Sequence, residues 1–470
     1  MILNVHLSAD RDEERFDTLI SPAGGVATLE AIEGRVFPDE EIRSYDGGFP
    51  GNEEVRAEIF RVIESADASG GPVSVLFTVL AYNAEASVAF AQELKERFQG
   101  GVRVVFGGQL VPFSKAAFVR DPSVDAVCIG DAEALLPQMG VDNFAGSFYE
   151  GWLKDSGVRP VFSGVSYEHF FQIRERLARQ EEVAGFSQLV LQGPGGPGCS
   201  WAANNPNGAC SFCALQNITV MNGVPLVEHF EMEAALQDRF GVGRFFDVAN
   251  QFLPFLRADQ NEAWLRNYIT VRNDFCVTAE KYAYLTVSSI TPEIAALLSQ
   301  AGVTEAYLGI EHFDAAALVS HNKSHRGGNT LKRALDALKN EGIRFRMGLV
   351  LGASSETAQS LQAVRDGMRW LMNDCHDQLL ACGVYPLELI PGARLFDQAR
   401  QEGLVPEVFE SFARKGFFTA QEQLALNRAY IQAHSLVGAD AVYALAAEIS
   451  VLEQAYQVRR SPRDLYAKKG

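Results

Sequence analysis

The chain has 470 residues, 59 of them acidic and 41 basic, and a formal net charge of -18 at pH 7. This length predicts two or three domains, and the acidic balance argues against nucleic-acid partners. No apolar run approaches the ~18 residues that span a bilayer, and the acidic N-terminus does not resemble a secretion signal. We therefore expect a cytoplasmic protein with no membrane partner, whose seven cysteines are thiols or metal ligands rather than disulfides.

Apolar strands alternate with amphipathic helices over residues 1–150. The strands are predicted at 2–7, 73–80, 102–106 and 124–129, and a helix is predicted at 84–98. Continuous apolar runs such as VSVLFTVL are typical of parallel strands that are buried on both faces. The pattern predicts a Rossmann-like, doubly wound α/β domain that binds its ligand at the carboxyl ends of the strands.

A connector rich in Gly, Ser and charged residues spans 151–183, and a second alternating series covers 184–405. Its strands are predicted at 188–192, 244–248, 275–278, 306–310, 343–351 and 380–389. Six strand–helix units in succession predict a partial (β/α)6 TIM-type barrel.

Helix boundaries are clear at two places in the second series. Thr291 and Pro292 begin one helix, which Gly302 ends, and Asn329 begins another, which Gly342 ends. Residues 406–470 are predicted to form a small helical C-terminal region without a recognisable motif.

Three cysteines gather in one loop after the first strand of the second series: Cys199, then Cys210 and Cys213 with two residues between them. Three thiolates suit an iron–sulfur cluster that keeps one iron open, whereas structural zinc normally takes four protein ligands. From these residues alone, a zinc knuckle completed by a distant side chain, or plain buried cysteines, remain alternatives.

From about residue 188 to 405 the chain resembles the radical S-adenosylmethionine superfamily, in which three such cysteines bind a 4Fe-4S cluster. The usual CxxxCxxC spacing is stretched here by an insert from Ser200 to Ala209, whose role the sequence does not give. The GCSW and CSFC segments resemble members that mature ribosomally made peptides. The resemblance implies that the cluster ligands are Cys199, Cys210 and Cys213.

The same resemblance implies residues that contact S-adenosylmethionine. The YLGIE segment looks like the end of the fourth barrel strand, and GLVLG looks like the fifth. The pair at 280–281, placed at the end of the predicted third strand, resembles a Glu-Arg pair of the superfamily. The implied contacts are Glu311, Glu280, Lys281, Asp247, Gly348 and Gly352.

Residues 1–150 resemble the cobalamin-binding domain of one branch of the superfamily, the class B-type radical methyltransferases. The similar segments are SPAGG at 21–25, FGGQ after a strand and IGDAE after the next. No Asp-x-His-x-x-Gly is present, so the resemblance implies cobalamin without a histidine lower ligand from this domain. A Rossmann-like domain without a ligand is the alternative. The implied cobalamin contacts are Tyr82, Asn83, Gly107, Gly108, Gln109, Gly130, Asp131 and Glu133.

Together these resemblances imply a cobalamin-dependent radical S-adenosylmethionine C-methyltransferase. It would methylate an unactivated carbon of a peptide or small metabolite through a 5'-deoxyadenosyl radical. Electrons would come from a low-potential donor of the flavodoxin or ferredoxin type. The alternatives are a radical epimerase or cyclase of the same fold, an RNA-modifying radical enzyme, and a non-enzymatic zinc- or cluster-bearing scaffold. The sequence identifies no catalytic side chain.

Overall fold

The computed structural model describes residues 1–7, 33, 36–46, 52–66, 73–130, 132–141, 147–151, 188–191, 193–194, 198–205, 207–214, 225–247, 249–325 and 328–459. The chain divides into two compact units, Met1–Val190 with Pro406–Glu422, and Leu191–Val405 with Gln423–Gly470. The C-terminal region that the sequence presents as one segment is thus shared between the units. The SPAGG segment and connector residues 152–183 lie outside the described residues.

The described strands of the first unit form a six-stranded sheet in the order β2-β1-β3-β4-β5-β6. Neighbouring strands are parallel. The strands are β1 (Ile2–His6), β2 (Ile42–Asp46), β3 (Val73–Thr78), β4 (Val102–Gly107), β5 (Ala126–Gly130) and β6 (Phe148–Gly151). The four predicted strands are confirmed, while β2 and β6 were missed because they are short and mix apolar with polar residues. The strand order reverses between β1 and β3, and ligands of open α/β sheets bind beyond the carboxyl ends at such a switch point.

Helices α1 (Asn52–Ala66), α2 (Ala84–Phe98), α3 (Val111–Phe118) and α4 (Ala132–Val141) accompany this sheet. Aromatic contacts join the sheet to helix α2. Phe77 on β3 contacts Phe90 on α2 and Phe106 on β4, with ring centroids 5.8 and 5.4 Å apart. A later helix belongs to the same unit, because the Ser114 hydroxyl on α3 donates to the carbonyl of Gly416 at 2.5 Å.

The described strands of the second sheet run in chain order, β12-β11-β10-β9-β8-β7, which is consistent with a partial barrel; β7 crosses the boundary between the two units, and the other five strands belong to the second. They are β7 (Gln188–Leu191), β8 (Arg244–Asp247), β9 (Glu280–Leu285), β10 (Val303–Glu311), β11 (Arg344–Leu351) and β12 (Leu379–Pro386). Neighbours from β8 to β12 are parallel. The predicted α/β class with parallel sheets is confirmed.

The predicted third barrel strand was placed wrongly. Residues 275–278 form no strand, and β9 begins only at Glu280. Cys276 has a φ of +54°, and the side-chain oxygen of Gln237 accepts from the backbone N–H groups of Thr278 and Ala279 at 2.8 and 3.0 Å. These contacts hold the apolar run as a turn after a helix, so its hydrophobicity reflects packing rather than sheet pairing.

The helices that follow are α5 (Ser200–Asn204), α6 (Leu226–Phe240), α7 (Ala258–Asp274), α8 (Pro292–Gln300), α9 (Ala315–Ser320), α10 (Gly328–Asn340), α11 (Ala358–Asp374), α12 (Arg394–Gln401), α13 (Pro406–Lys415), α14 (Ala420–His434) and α15 (Gly438–Arg459). The predicted start of α8 is confirmed, because the Thr291 hydroxyl accepts from the Ile294 N–H at 3.2 Å. Among the described residues no single helix has the length and apolarity to span a membrane; α14 and α15 meet those criteria only as a pair bent by 115°.

Candidate functional site

The three cysteines of the loop after β7 are not joined in disulfides among the described residues, and each is partly exposed. Cys199 immediately precedes α5, and the N–H of Cys213 donates to the carbonyl of Cys210 at 3.0 Å. Burial raises the pKa of the Cys210 thiol, while the positive charge of Lys323 acts in the opposite direction. The loop therefore places Cys210 next to a cation that partly offsets the effect of burial on its thiol.

These thiols suit an iron–sulfur cluster by their chemistry. Among the described residues no three His, Cys, Asp or Glu side chains converge on the position of a single metal ion. Thiolates that hold a cluster bind different irons, so they do not need to converge on one point. The donor set thus fits the group that the sequence implies.

Asn322 holds the long insert of the cysteine loop in place. Its side-chain N–H2 donates to the carbonyls of Gly208 and Ala209 at 3.0 and 2.9 Å. Its side-chain oxygen accepts from Asn205 at 3.1 Å, and its carbonyl accepts from the indole N–H of Trp201 at 2.8 Å. Asn322 has a φ of +56°, in the left-handed region that asparagine tolerates. The sequence did not indicate this residue, because no local pattern connects positions so far apart in the chain.

Gln251 links the same loop to the next strands. The Ser200 hydroxyl donates to its side-chain oxygen at 2.8 Å, and the Cys199 sulfur lies 3.8 Å from that oxygen. The Gln251 side-chain nitrogen lies 3.3 Å from the hydroxyl of Thr286, which immediately follows β9. The cysteine loop is therefore fixed to the carboxyl ends of its neighbours in the sheet.

Glu311, expected to contact S-adenosylmethionine, lies at the end of β10 in an ion pair with Lys323 at 3.0 Å. The pairing of β10 with β11 shifts register here, and Glu311 takes a φ of +61°. A Cβ on Gly309 would lie 2.6 Å from a Glu311 carboxylate oxygen, so glycine provides the room for this pair. Burial alone would lower the pKa of Lys323, but the charges of Glu311, Cys210 and Cys199 raise it.

Glu280 and Lys281 lie at the start of β9, at the opposite end of the sheet from the cysteine loop. Their expected contact with S-adenosylmethionine rested on the misplaced third strand and does not follow from this position. Lys281 is 1% exposed and forms a buried ion pair with Glu233 of α6, which also pairs with His229 at 2.8 Å. Burial lowers the pKa of Lys281. The structure therefore gives Lys281 a packing role between strand and helix.

Asp247 ends β8, at the edge expected from the sequence, but its side chain is 4% exposed. One carboxylate oxygen accepts from the Ala249 N–H at 2.9 Å, and burial raises the pKa of Asp247 to about 6. The carboxylate occupies the space where a Cβ on Gly193 would stand, 1.8 Å from that position. Asp247 thus packs against the backbone that leads from β7 to the cysteine loop.

The glycines expected to contact S-adenosylmethionine lie on β11 and just after it. A Cβ on Gly348 would lie 2.4 Å from the Tyr307 hydroxyl, and Gly352 has a φ of +104°. The turn after Gly352 is built around Glu356, which accepts from the Gly352 N–H at 2.6 Å and pairs with His312 at 2.8 Å. Gly352 therefore serves a tight turn, and Gly348 makes room for a tyrosine.

Among the residues expected to contact cobalamin, several line the carboxyl edge of the first sheet. Tyr82, Gly108, Gln109 and Gly130 are exposed, and both glycines have positive φ values, +111° and +124°. Gly107 is partly exposed at the end of β4. Asp131 lies outside the described residues, as does the side chain of Glu133. An exposed edge of glycine backbone beside an aromatic ring fits a large flat ligand.

Asn83 has a different position from its neighbour Tyr82. It is fully buried, accepts from the Leu80 N–H at 2.7 Å, and donates to the carbonyls of Leu7 and Thr78 at 2.9 and 3.0 Å. Asn83 therefore ties β1 to β3 at the switch point.

His6, which the sequence did not single out, lies at the end of β1. Its Nε2 is 2.9 Å from the Tyr82 hydroxyl. Because β1 borders the switch point, this contact places a histidine at the edge where a ligand of this sheet would bind.

No protein-family model and no curated protein sequence matches the chain. In fold the chain is similar to the radical S-adenosylmethionine methyltransferase TsrM from Kitasatospora setae with cobalamin and a 4Fe-4S cluster bound. The TM-score is 0.59 at 16% identity, with 86% of this chain and 75% of TsrM covered. A TsrM structure with tryptophan substrate and a SAM analogue gives 0.60 at 16% identity, covering 86% and 76%.

It is also similar to the cobalamin-dependent S-adenosylmethionine radical enzyme OxsB with aqua-cobalamin and S-adenosylmethionine bound. There the TM-score is 0.62 at 12% identity, and the match covers 86% of this chain and 60% of OxsB. Neighbouring structures thus hold the cluster, S-adenosylmethionine and cobalamin. At these identities the similarity concerns the fold, and the chain shares its fold with cobalamin-dependent radical S-adenosylmethionine enzymes.

Proposed function

We propose that this protein is a cobalamin-dependent radical S-adenosylmethionine C-methyltransferase. One observation supports the proposal: three cysteines lie in the loop after β7, which Gln251 links to the carboxyl end of β9, in a chain whose fold matches TsrM and OxsB over 86% of its length. A small-molecule substrate is favoured over a peptide, because TsrM is described with tryptophan.

Each cofactor has candidate residues. Cys199, Cys210 and Cys213 would hold the cluster, Glu311 would bind a polar group of S-adenosylmethionine, and Tyr82 would lie against cobalamin. When bound, these groups supply a carbon radical and a methyl donor, chemistry that protein side chains lack.

The protein's own contribution is positioning. Asn322 and Gln251 fix the cysteine loop by hydrogen bonds to its backbone and to Ser200. Burial raises the pKa of the Cys210 thiol, and the buried positive charge of Lys323 beside it acts against this effect, toward the thiolate that metal binding requires. The Glu311–Lys323 pair fixes the orientation of the carboxylate that faces this loop.

The test starts from full-length protein purified without oxygen from cells supplied with cobalamin. We expect about four irons with matching sulfide, together with bound cobalamin. With S-adenosylmethionine, a low-potential reductant and substrate, we expect both 5'-deoxyadenosine and S-adenosylhomocysteine. Cys213→Ala should lose the iron, whereas Cys276→Ala, at an exposed cysteine away from the loop, should keep it.

Other outcomes identify the alternatives. Iron without cobalamin, and 5'-deoxyadenosine without S-adenosylhomocysteine, would indicate an epimerase or cyclase. One zinc per chain without sulfide would contradict an enzyme of this type and indicate a metal-bearing scaffold.

A further inference from the structure

Three glycines lie side by side on one face of the second sheet. This is the face that points away from helix α6. Gly309 on β10 pairs with Gly348 on β11, which pairs with Gly383 on β12. A Cβ on Gly383 would lie 2.4 Å from the Tyr385 hydroxyl, as one on Gly348 would from Tyr307. Because these positions lack side chains, the two tyrosine rings lie along the sheet instead of standing out from it.

Tyrosines border this glycine row. Tyr307 contacts Tyr284 of the neighbouring strand, with ring centroids 5.1 Å apart at an interplanar angle of 65°. Burial raises the pKa of both phenols, so they stay neutral hydrogen-bond donors. Tyr385 shares this face and is 57% exposed, so the face is accessible at β12. Such rings bind a flat aromatic molecule in edge-to-face or offset contact.

At the amino end of the same face, register places three arginines, Arg244, Arg344 and Arg346, with two carboxylates, Glu280 and Glu305, which leaves one positive charge in excess. Glu305, whose side chain is 1% exposed, forms ion pairs with Arg244 and Arg346, so that one carboxylate meets two guanidinium groups. The guanidinium carbons lie 5.5 and 5.9 Å from the ring centroid of Tyr282. Arg346 is in register with Tyr307, one strand away. Aromatic rings alone can also bind cations. The excess positive charge beside these rings favours an anionic ligand over a cationic one.

We propose that this face, bounded by the tyrosines and the Arg244–Glu305–Arg346 cluster, is a binding site for a small aromatic carboxylate. Edge-to-face contacts with Tyr284, Tyr307 and Tyr385 would hold the ring, and Arg346 would attract the carboxylate. The inference deepens the proposed function by naming its substrate class, and it rests on that function only for what happens to the bound molecule.

The test compares three probes that differ in one property each. Calorimetric titration of the anaerobically reconstituted full chain would use 3-phenylpropionate, phenethylamine, which reverses the charge, and 3-cyclohexylpropionate, which removes the flat ring. We expect 3-phenylpropionate to bind at least about tenfold more tightly than either analogue. Equal or tighter binding of the amine, or of the cyclohexyl acid, would overturn the proposal.

Variants locate the site. Arg346→Gln should weaken binding of 3-phenylpropionate about fivefold or more and leave that of neutral 3-phenylpropanamide nearly unchanged. Arg369→Gln, on an exposed helix face, is its control.

Tyr385→Leu alters an exposed side chain, so it tests the contribution of the tyrosine rings in a folded protein. Gly383→Ala should push Tyr385 off the sheet and weaken binding, whereas Gly100→Ala, where a Cβ meets nothing within 4 Å, should not. Unchanged affinity in Arg346→Gln and Tyr385→Leu would also overturn the proposal.

The two proposals fail separately. 3-Phenylpropionate can bind as expected while the reconstituted protein forms neither 5'-deoxyadenosine nor S-adenosylhomocysteine. That result would support the binding site and contradict the proposed reaction. If both products form with another substrate while the probes bind without preference, only the site falls.

Discussion

Glu311 combines two features that are uncommon in one residue, a left-handed backbone and a buried ion pair. A non-glycine φ of +61° costs roughly 1–3 kcal/mol and persists only where the surroundings enforce it. Here the register shift after Gly309 and the contact with Lys323 enforce it. Strain of this kind clusters at functional sites, which fits the place of Glu311 beside the cysteine loop.

Asn322 should control the order of the cysteine-loop insert. Asn322→Ala removes the hydrogen bonds to the carbonyls of Gly208 and Ala209. It also puts alanine, which lacks the polar side chain of asparagine, at a left-handed φ of +56°. We expect a loss of about 1–3 kcal/mol of unfolding free energy and faster proteolysis within residues 200–209. Asn322→Gly relieves the backbone strain, so it should recover part of the stability while the loop remains susceptible. Unchanged proteolysis in both variants would show that other contacts hold the insert.

Lys281 should matter for stability and not for binding of S-adenosylmethionine. Lys281→Met leaves the Glu233 carboxylate buried without its main partner, which costs about 3–5 kcal/mol in comparable cases. Urea unfolding should show this loss, and Lys281→Met combined with Glu233→Met should recover most of it. Weaker binding of S-adenosylmethionine at unchanged stability would restore the role that the sequence suggested.

At the scale of elements, the end of β11 depends on one carboxylate. Glu356 accepts from the backbone N–H groups of Gly352 and Ala353 and from the Ser360 hydroxyl, and it pairs with His312. Burial by itself would raise the pKa of Glu356, but these donors lower it below its ordinary value of 4.5. The strand end and the start of α11 are thus joined by an ionised side chain.

This arrangement makes a pH-dependent contribution to stability. Since the pKa of Glu356 is lowered by folding, the contribution is complete above pH 4.5 and is lost as the pH falls through the lower, folded-state value. Glu356→Gln should therefore cost about 1–3 kcal/mol at pH 7, and the difference from the unchanged protein should shrink in acid. Urea unfolding at several pH values would measure it, with exposed Glu341→Gln as the matched control. A difference that does not change with pH would contradict this account.

At the scale of the whole molecule, the two candidate cofactor edges belong to different compact units. Each unit has its own parallel sheet and buried apolar residues, so local substitutions should act on one cofactor at a time. Cys213→Ala should abolish bound iron and keep cobalamin, and Tyr82→Ala should lower cobalamin several-fold and keep iron. Metal analysis and the cobalamin absorption spectrum would measure both. Loss of both cofactors in either variant would mean that their sites depend on each other.

The sequence by itself determined the features that local patterns encode. Continuous apolar runs predicted β1, β3, β4 and β5, because strands of a parallel sheet are buried on both faces. The cap at Thr291 and the clustering of three cysteines were equally visible, since a cap and a short ligand spacing involve residues close together in the chain.

Tertiary structure alone decided what depends on distant contacts. Hydrogen bonds to Gln237 hold the apolar residues 275–278 in a loop instead of a strand. Glu280 and Lys281 therefore lie at the amino end of β9 and not at its carboxyl end. Asn322 contacts the cysteine-loop insert although the two are more than a hundred residues apart in the chain. Strand register alone places Tyr307, Tyr385 and Arg346 on one face of the sheet. No local pattern encodes such pairings, because the free energy that selects them comes from packing of the whole unit.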